Sequence, residues 1–348
     1  MAHLVRRDRL ARETEEERLS PAATRSAASR GRRRPEEPDP FRTAFERDRD
    51  RIIHSKAFRR LKHKTQVFLN PEGDHFVTRL THTLQVAQIA RSLAAALTLN
   101  ESLAEAVALG HDVGHTPFGH TGEEALSPYF PPAGWHHAAQ SVRVFEVLED
   151  LNLTWEVRDG IRAHTWKVTP PPVTAEAMCV RYADRIAYLS HDALDALRGG
   201  VLTEADFPVH LIERLGPPGR QWIGELISAV IENSLRQGEV AMDEDTLTVM
   251  HELRDFMFAR VYLRTALLAQ QQAAIALLRR LMDHHLAHPG ALPDSYRDTG
   301  ADAVTQVADY VSGMTDRYAE ALAERLDAGS TGGRYGDTSR PGSSERYR

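Results

Sequence analysis

Apolar residues recur along most of this chain at the three- and four-residue spacing of an α-helix, and no alternating strand pattern runs for more than a few residues. The pattern predicts a helix from about Thr78 to Leu97, with Leu80, Leu84, Ala87 and Arg91 near one face. Asn100 caps the next, which carries Glu101 in its first turn and runs through Leu103 and Val107 to about His111, where Gly114 and Pro117 break it. A third, from about Gln140 to Asp150, turns Val142, Phe145 and Leu148 inward. A fourth begins near Thr174 and ends at the Gly199–Gly200 pair, which suits a helix C-terminus. Residues 241–288 read as two long helices, and a last helix covers about Ala303 to Leu326. The expected architecture is all-α, with a single large domain over residues 41–328.

The flanks break the pattern. Residues 1–40 mix Arg, Glu, Ser, Ala and Pro without periodicity and read as a partly flexible arm. Residues 329–348, rich in Gly, Ser and Arg, read as a disordered tail. With 42% hydrophobic and 26% charged residues the chain can bury a large core. A net charge of −6 counts against a dedicated nucleic-acid module, while leaving room for a local basic patch. The single cysteine, Cys179, excludes an intramolecular disulfide and a multi-cysteine zinc site, and reads as a small core residue. No apolar run is long enough to span a membrane and no secretory segment opens the chain, so a cytoplasmic enzyme is expected. Seventeen histidines are the compositional anomaly, and their clustering changes the picture.

The densest cluster is His111-Asp112-Val113-Gly114-His115-Thr116-Pro117-Phe118-Gly119-His120-Thr121-Gly122-Glu123. Adjacent His and Asp at a helix end can both reach one metal. The dipeptide alone proves nothing, since His191-Asp192 repeats it inside a regular helix. The Gly/Pro-broken loop that follows the first copy is what separates them, because three buried histidines would each need a polar partner. Asp184 lies among Val180, Ala183, Ile186 and Ala187, where an unpaired carboxylate is costly; it is a ligand or the salt-bridge partner of Arg181 or Arg185. His120 and Glu123, three residues apart, meet within one helical turn, and a carboxylate on one ring nitrogen leaves the other free to exchange a proton. Arg79 lies one turn before His82, and Tyr188 and Asp192 follow Asp184 by four and eight residues on one helix face. The charges of Arg47–Arg51 read as a solvated, mutually paired helix face.

The order His82, His111-Asp112, Asp184 resembles the H…HD…D metal set of the HD-domain hydrolases. More narrowly, the chain resembles the deoxyguanosinetriphosphate triphosphohydrolase-like family, and more distantly the vertebrate SAM-and-HD-domain dNTPases. The likeness covers most of the chain. It rests on the cluster above together with Arg47-Asp48-Arg49-Asp50-Arg51-Ile52-Ile53-His54, Phe58-Arg59-Arg60-Leu61, Lys64-Thr65-Gln66-Val67, Arg79-Leu80-Thr81-His82-Thr83, Tyr182-Ala183-Asp184-Arg185-Ile186-Ala187-Tyr188 and Gly313-Met314-Thr315-Asp316-Arg317-Tyr318.

The resemblance implies an HD-domain helical fold, its motif region at 76–200, with extra C-terminal helices. It implies His82, His111, Asp112 and Asp184 as ligands of one divalent ion, Mn²⁺ or Mg²⁺, with Co²⁺ or Fe²⁺ also suited to a mixed N/O set. The implied reaction is attack at the α-phosphorus of a dNTP, giving a deoxynucleoside and intact triphosphate. His120 and Glu123 then match the family's catalytic pair, and His115 and His137 further active-site histidines. Arg79 and Arg185 would meet phosphate, and Gln66, Tyr188 and Asp192 the sugar. A homo-oligomer is implied, and a dNTP effector and single-stranded DNA are admitted as partners. The chain departs from the family pattern at Gln85, where Glu is common, and at His137-Ala138-Ala139-Gln140, where Asn is common after His. Two competing readings are an HD phosphohydrolase acting on an alarmone, nucleoside monophosphate or cyclic nucleotide, and a catalytically idle nucleotide sensor.

Overall fold

Thr43 starts the first long helix, α1 (Ala44–His54), through a reciprocal cap: Glu46 Oε2 accepts from Thr43 N at 2.9 Å, and Thr43 Oγ1 from Glu46 N at 3.5 Å. The computed structural model describes residues 4–66, 77–262 and 265–328, so the tail predicted for 329–348 lies outside the described residues. Helix α2 (Arg79–Ala96) begins at Thr78, whose hydroxyl accepts from Thr81 N. Helix α3 (Glu101–Gly110) begins at Asn100, which accepts from Leu103 N at 3.3 Å, as its cap position predicts. The broken loop leads into α4 (Gly119–Leu126), then α5 (His137–Arg143) and α6 (Trp155–Ala163). Helix α7 (Ala175–Arg198) is capped by Thr174 and ends at Gly199. The longer helices that follow are α8 (Arg220–Gln237), α9 (Glu244–Met257), α10 (Thr265–Ala287), α11 (Ala303–Ser312) and α12 (Asp316–Asp327). The fold is all-α: the described residues hold no strand, only isolated bridges between Arg32 and Thr154 and between Thr65 and Thr78. No described helix is long and apolar enough to cross a membrane.

Two local differences from the periodicity stand out. The helix predicted for Gln140–Asp150 is α-helical only to Arg143 and continues as a π-turn over Val144–Leu148; Asp150 then takes a left-handed conformation (φ 48°) that ends it. The pair predicted within 241–288 is realised as α9 and α10, with a second π-turn, Phe258–Tyr262, after α9.

Within residues 1–40, whose composition suggested an arm, residues 16–32 lie against the rest of the protein. Glu16 accepts from Ser26 and from Asn100, Thr24 donates twice to Glu176, and Arg32 pairs with the fully buried Asp48. Asp48 also accepts from Thr154 N and Oγ1, both at 2.7 Å, which corrects the solvated-face reading of 47–51 at Asp48. Composition hid this because each charge finds its partner far along the chain.

Two apolar cores result. In the first, α2, α3 and α7 pack through Val86, Leu93, Leu103, Val107, Val180 and Ile186, each out of contact with water and each worth about 1.5–3 kcal/mol. In the second, Phe118, Leu126 and Trp135 pack against Leu278, Val311 and Met314 of the C-terminal helices and their connections. The chain crosses from one core to the other between Val113 and Phe118, within the histidine-bearing loop.

Candidate functional site

His111 closes α3 with its ring fixed. Nδ1 donates to Ala108 O at 2.6 Å, so in the neutral ring the lone pair is on Nε2. That nitrogen is buried and has no hydrogen-bond partner among the described residues. It lies 3.3 Å from Asp112 Oδ1 and 3.8 Å from Asp184 Oδ1. From α2, His82 Nε2 lies 3.1 Å from Asp184 Oδ1 and 4.0 Å from Asp112 Oδ2. Ligands about 2.1 Å from a hard divalent ion in octahedral geometry sit about 3.0 Å apart when adjacent and about 4.2 Å apart when opposite. The chemistry of the four side chains fits such an ion: the four His-to-Asp separations fall in that range, their donors are mixed N and O, and His111 offers a lone pair that no described protein group uses. His82, His111 and Asp112 alone place one donor atom each within 4.8 Å of one another.

Charge and burial oppose each other here. Burial pushes both carboxyls up, but His111, His115 and Arg79 hold Asp112 well below its ordinary value, and the hydrogen bond from His82 with the charges of His111 and His82 does the same for Asp184. Both carboxylates are therefore ionised and ready to bind a cation. Arg79, expected beside the phosphates, is itself buried and gives Nη1 to Asp112 Oδ2 at 2.7 Å; Nη2 reaches Gln66 O at 3.4 Å. Gly119 makes room for it, since a Cβ there would lie 2.4 Å from Arg79 Nη2, and its φ of +57° also favours glycine.

A second group stands beside the first. His120 Nδ1 is 2.8 Å from Glu123 Oε2, and His137 Nδ1 is 2.5 Å from Glu123 Oε1. Burial raises Glu123, but His137 and His120 hold it well below the usual carboxylate range. His137, which its Pro-rich surroundings could have left exposed, is buried and stacks on His115 at 3.8 Å between centroids. Burial, Arg79 and His137 keep His115 neutral, with its Nε2 3.4 Å from Asp112 Oδ1. The His120 side chain is 71% exposed, so this pinned imidazole alone in the cluster presents a ring edge to solvent. Gly114 lets α5 close on the loop: a Cβ would lie 2.2 Å from Ser141 N.

Along α7, Arg185 is buried with Nε unpartnered and its guanidinium 4.6 Å from the Trp166 ring centroid. Asp192 accepts from Tyr262 Oη at 2.6 Å, and burial raises it to about 7. Tyr188 is half-buried, its hydroxyl pushed up to about 12 chiefly by burial. Gln66 keeps a buried Oε1 without a partner among the described residues.

Sequence reasoning missed two of these participants. His164 follows α6 and is buried, with Nδ1 2.7 Å from Ile161 O and Nε2 3.1 Å from His137 Nε2. No spacing marks it; its one clue is local, a histidine at a helix end like His111. Tyr262 arrives from a π-turn that periodicity cannot place.

An HD-domain family model matches residues 79–189, and a phosphohydrolase-associated domain model matches residues 240–325. A deoxyguanosinetriphosphate triphosphohydrolase-like protein of Caldanaerobacter subterraneus subsp. tengcongensis is 48% identical over 88% of this chain and 91% of its own. Proteins of the same name from Desulfatibacillum aliphaticivorans and Clostridium perfringens (strain SM101) are 46% and 43% identical, each over 86% of this chain and 92% of theirs. A solved structure of a hypothetical protein from Aquifex aeolicus is looser, with a TM-score of 0.47 and 23% identity over 79% of this chain and 67% of that one. At such identity over most of both chains, and with the HD domain laid over α2 to α7, this chain belongs to the deoxyguanosinetriphosphate triphosphohydrolase-like family of HD-domain phosphohydrolases.

Proposed function

We propose that the chain hydrolyses deoxynucleoside triphosphates at the α-phosphorus, releasing a deoxynucleoside and inorganic triphosphate. The observation that carries the reading is the pairing of a buried two-His, two-Asp set with an exposed imidazole pinned by a carboxylate: His82, His111, Asp112 and Asp184 beside His120 and Glu123. The relatives' names point to the same chemistry.

In this reading His82, His111, Asp112 and Asp184 hold one divalent ion, Mn²⁺ or Mg²⁺. Bound there, it supplies Lewis acidity toward a phosphate oxygen and a lowered water pKa. Glu123 fixes Nδ1 of His120, which leaves Nε2 to carry a proton to the leaving 5′-oxygen. His137 and His115, stacked together and tied to Glu123 and Asp112, support that pair and face the phosphates. Arg185, with no ion pair among the described residues, meets the triphosphate charge, and Arg79 orients Asp112. Tyr262 occupies one oxygen of Asp192, so the other, with Gln66 Oε1, is left to recognise the sugar's 3′-hydroxyl. Tyr188 closes the 2′ side. A homo-oligomer fits the family, as does a dNTP or single-stranded DNA effector.

The test is turnover of each dNTP and rNTP with Mn²⁺ or Mg²⁺, with Asp112→Ala in parallel. Hydrolysis of dNTPs but not rNTPs, absent in the variant, is the expected result. Turnover of a nucleoside monophosphate or cyclic nucleotide instead moves the chain to another HD phosphohydrolase class, and tight binding without turnover makes it a sensor.

A further inference from the structure

The two halves of the site belong to different cores. His82 and Asp184 sit on α2 and α7, and His111 and Asp112 directly follow α3; the apolar faces of these three helices build the first core. His120 and Glu123 sit on α4, whose Ala125 and Leu126, with Phe118 just before it, build the second core with α10 to α12. Four residues of loop join Val113, packed in one core, to Phe118, packed in the other. A change in how the cores meet would move the proton-transfer pair over the metal set.

One side chain ties the halves across that seam. Asp316, the first residue of α12, is buried. Its Oδ1 accepts from Phe118 N at 3.0 Å, and its Oδ2 from Thr65 N at 2.9 Å and Thr65 Oγ1 at 2.7 Å. Phe118 holds a left-handed backbone (φ 60°) directly before α4, so the bond to its N–H fixes the turn that aims His120. Thr65 bridges to Thr78, and its neighbour Lys64 accepts on its carbonyl from Arg79 N at 3.1 Å, so the same carboxylate reaches the start of the helix that carries His82. Lys64 adds a parallel tie: its buried ammonium donates to His115 O and, at 2.8 Å, to Ser312 O of α11. Asp309 of α11 braces α5 in turn, accepting from Gln140 and twice from Arg143 at 2.8–2.9 Å and once more at 2.7 Å.

We propose that Asp316 is a positioning residue, which joins Thr65 to Phe118 and so sets the His120–Glu123 pair in register with the metal-binding set. The proposal rests on the proton-transfer role read for that pair. The C-terminal helices thereby act in turnover without touching substrate, and they do so by holding α4 and its leading turn.

The experiment compares Asp316→Ala, Asp316→Asn and Thr65→Val with the full-length chain in three measurements: Mn²⁺ affinity by calorimetry, kcat and KM on dNTPs, and the ¹⁵N-histidine ring signals of His120 and His111 in the diamagnetic Mg²⁺ state. A misplacement of about 1 Å costs roughly 10²-fold, so Asp316→Ala should lose about that in kcat while KM and Mn²⁺ affinity stay within about twofold. Asp316→Asn keeps one acceptor and should fall between. The His120 signal should move and that of His111 should not. Unchanged kcat with an unmoved His120 signal overturns the proposal, as does Mn²⁺ affinity falling in step with kcat. If Asp316→Ala fails to fold, Thr65→Val removes one of the three bonds and should show the same split, smaller. If the native chain turns over no dNTP, the function fails and the ring signals alone decide the positioning claim.

Discussion

His137 Nε2 and His164 Nε2 face each other at 3.1 Å in the buried centre of the site, and the opposite nitrogen of each ring is already committed. His164 donates Nδ1–H to Ile161 O, and His137 gives Nδ1 to Glu123. Burial holds His164 down at about 3, so it is the neutral partner that accepts at Nε2. His111 is locked the same way by Ala108 O. In ¹⁵N-histidine spectra of the Mg²⁺-loaded protein near neutral pH, His111 and His164 should both carry their proton on Nδ1, the less common tautomer. A proton on Nε2 of either ring contradicts the site geometry.

Arg79 separates the structure's account from what the resemblance alone implies. With its guanidinium on Asp112 Oδ2 at 2.7 Å and both groups buried, the role proposed for it is to hold Asp112 in place within the proposed metal set. Losing such a support typically costs 10–100-fold in metal affinity. Arg79→Ala should therefore weaken Mn²⁺ binding by about that factor, and Arg79→Lys by less, since one ammonium replaces one of the two contacts. Calorimetry measures it. Intact metal affinity with a raised KM would return Arg79 to the phosphates.

Asp192 gives a pH signature. Burial raises it to about 7 in the folded chain, against about 3.9 for an unperturbed Asp. Between those values the folded state holds a proton that the unfolded state has released, so this contribution to stability is full below about pH 3.9 and is lost as pH rises through about 7. Asp192→Asn removes that dependence. Its melting temperature relative to the native chain should be higher at about pH 8 than at about pH 5. An equal difference at both pH values would mean that the carboxyl does not titrate there.

Much of this was legible in the residues. The three- and four-residue periodicity located α2, α3 and α7, and Thr78, Asn100 and Thr174 cap where residue type says they should. The all-α class followed. Spacing could also bring His120 to Glu123, because one turn suffices. What stayed hidden depends on tertiary contact. Arg79 and Arg185 look alike in sequence, each near a residue of the proposed metal set, yet one is paired with Asp112 and the other lies over the Trp166 ring without an ion pair among the described residues. His164 and Tyr262 carry no spacing signal, since one ends a helix and the other lies in a π-turn. The N-terminal charges looked solvated because Arg32 meets Asp48, and Thr24 meets Glu176, only after folding.

The most direct test of the central claim is hydrolysis of a dNTP in H₂¹⁸O, with the products separated by ion exchange and weighed. Attack at the α-phosphorus breaks the bond from phosphorus to the 5′-oxygen, so the account predicts deoxynucleoside without label and intact triphosphate carrying one ¹⁸O. Primary release of pyrophosphate or orthophosphate, or label in the nucleoside, would contradict it.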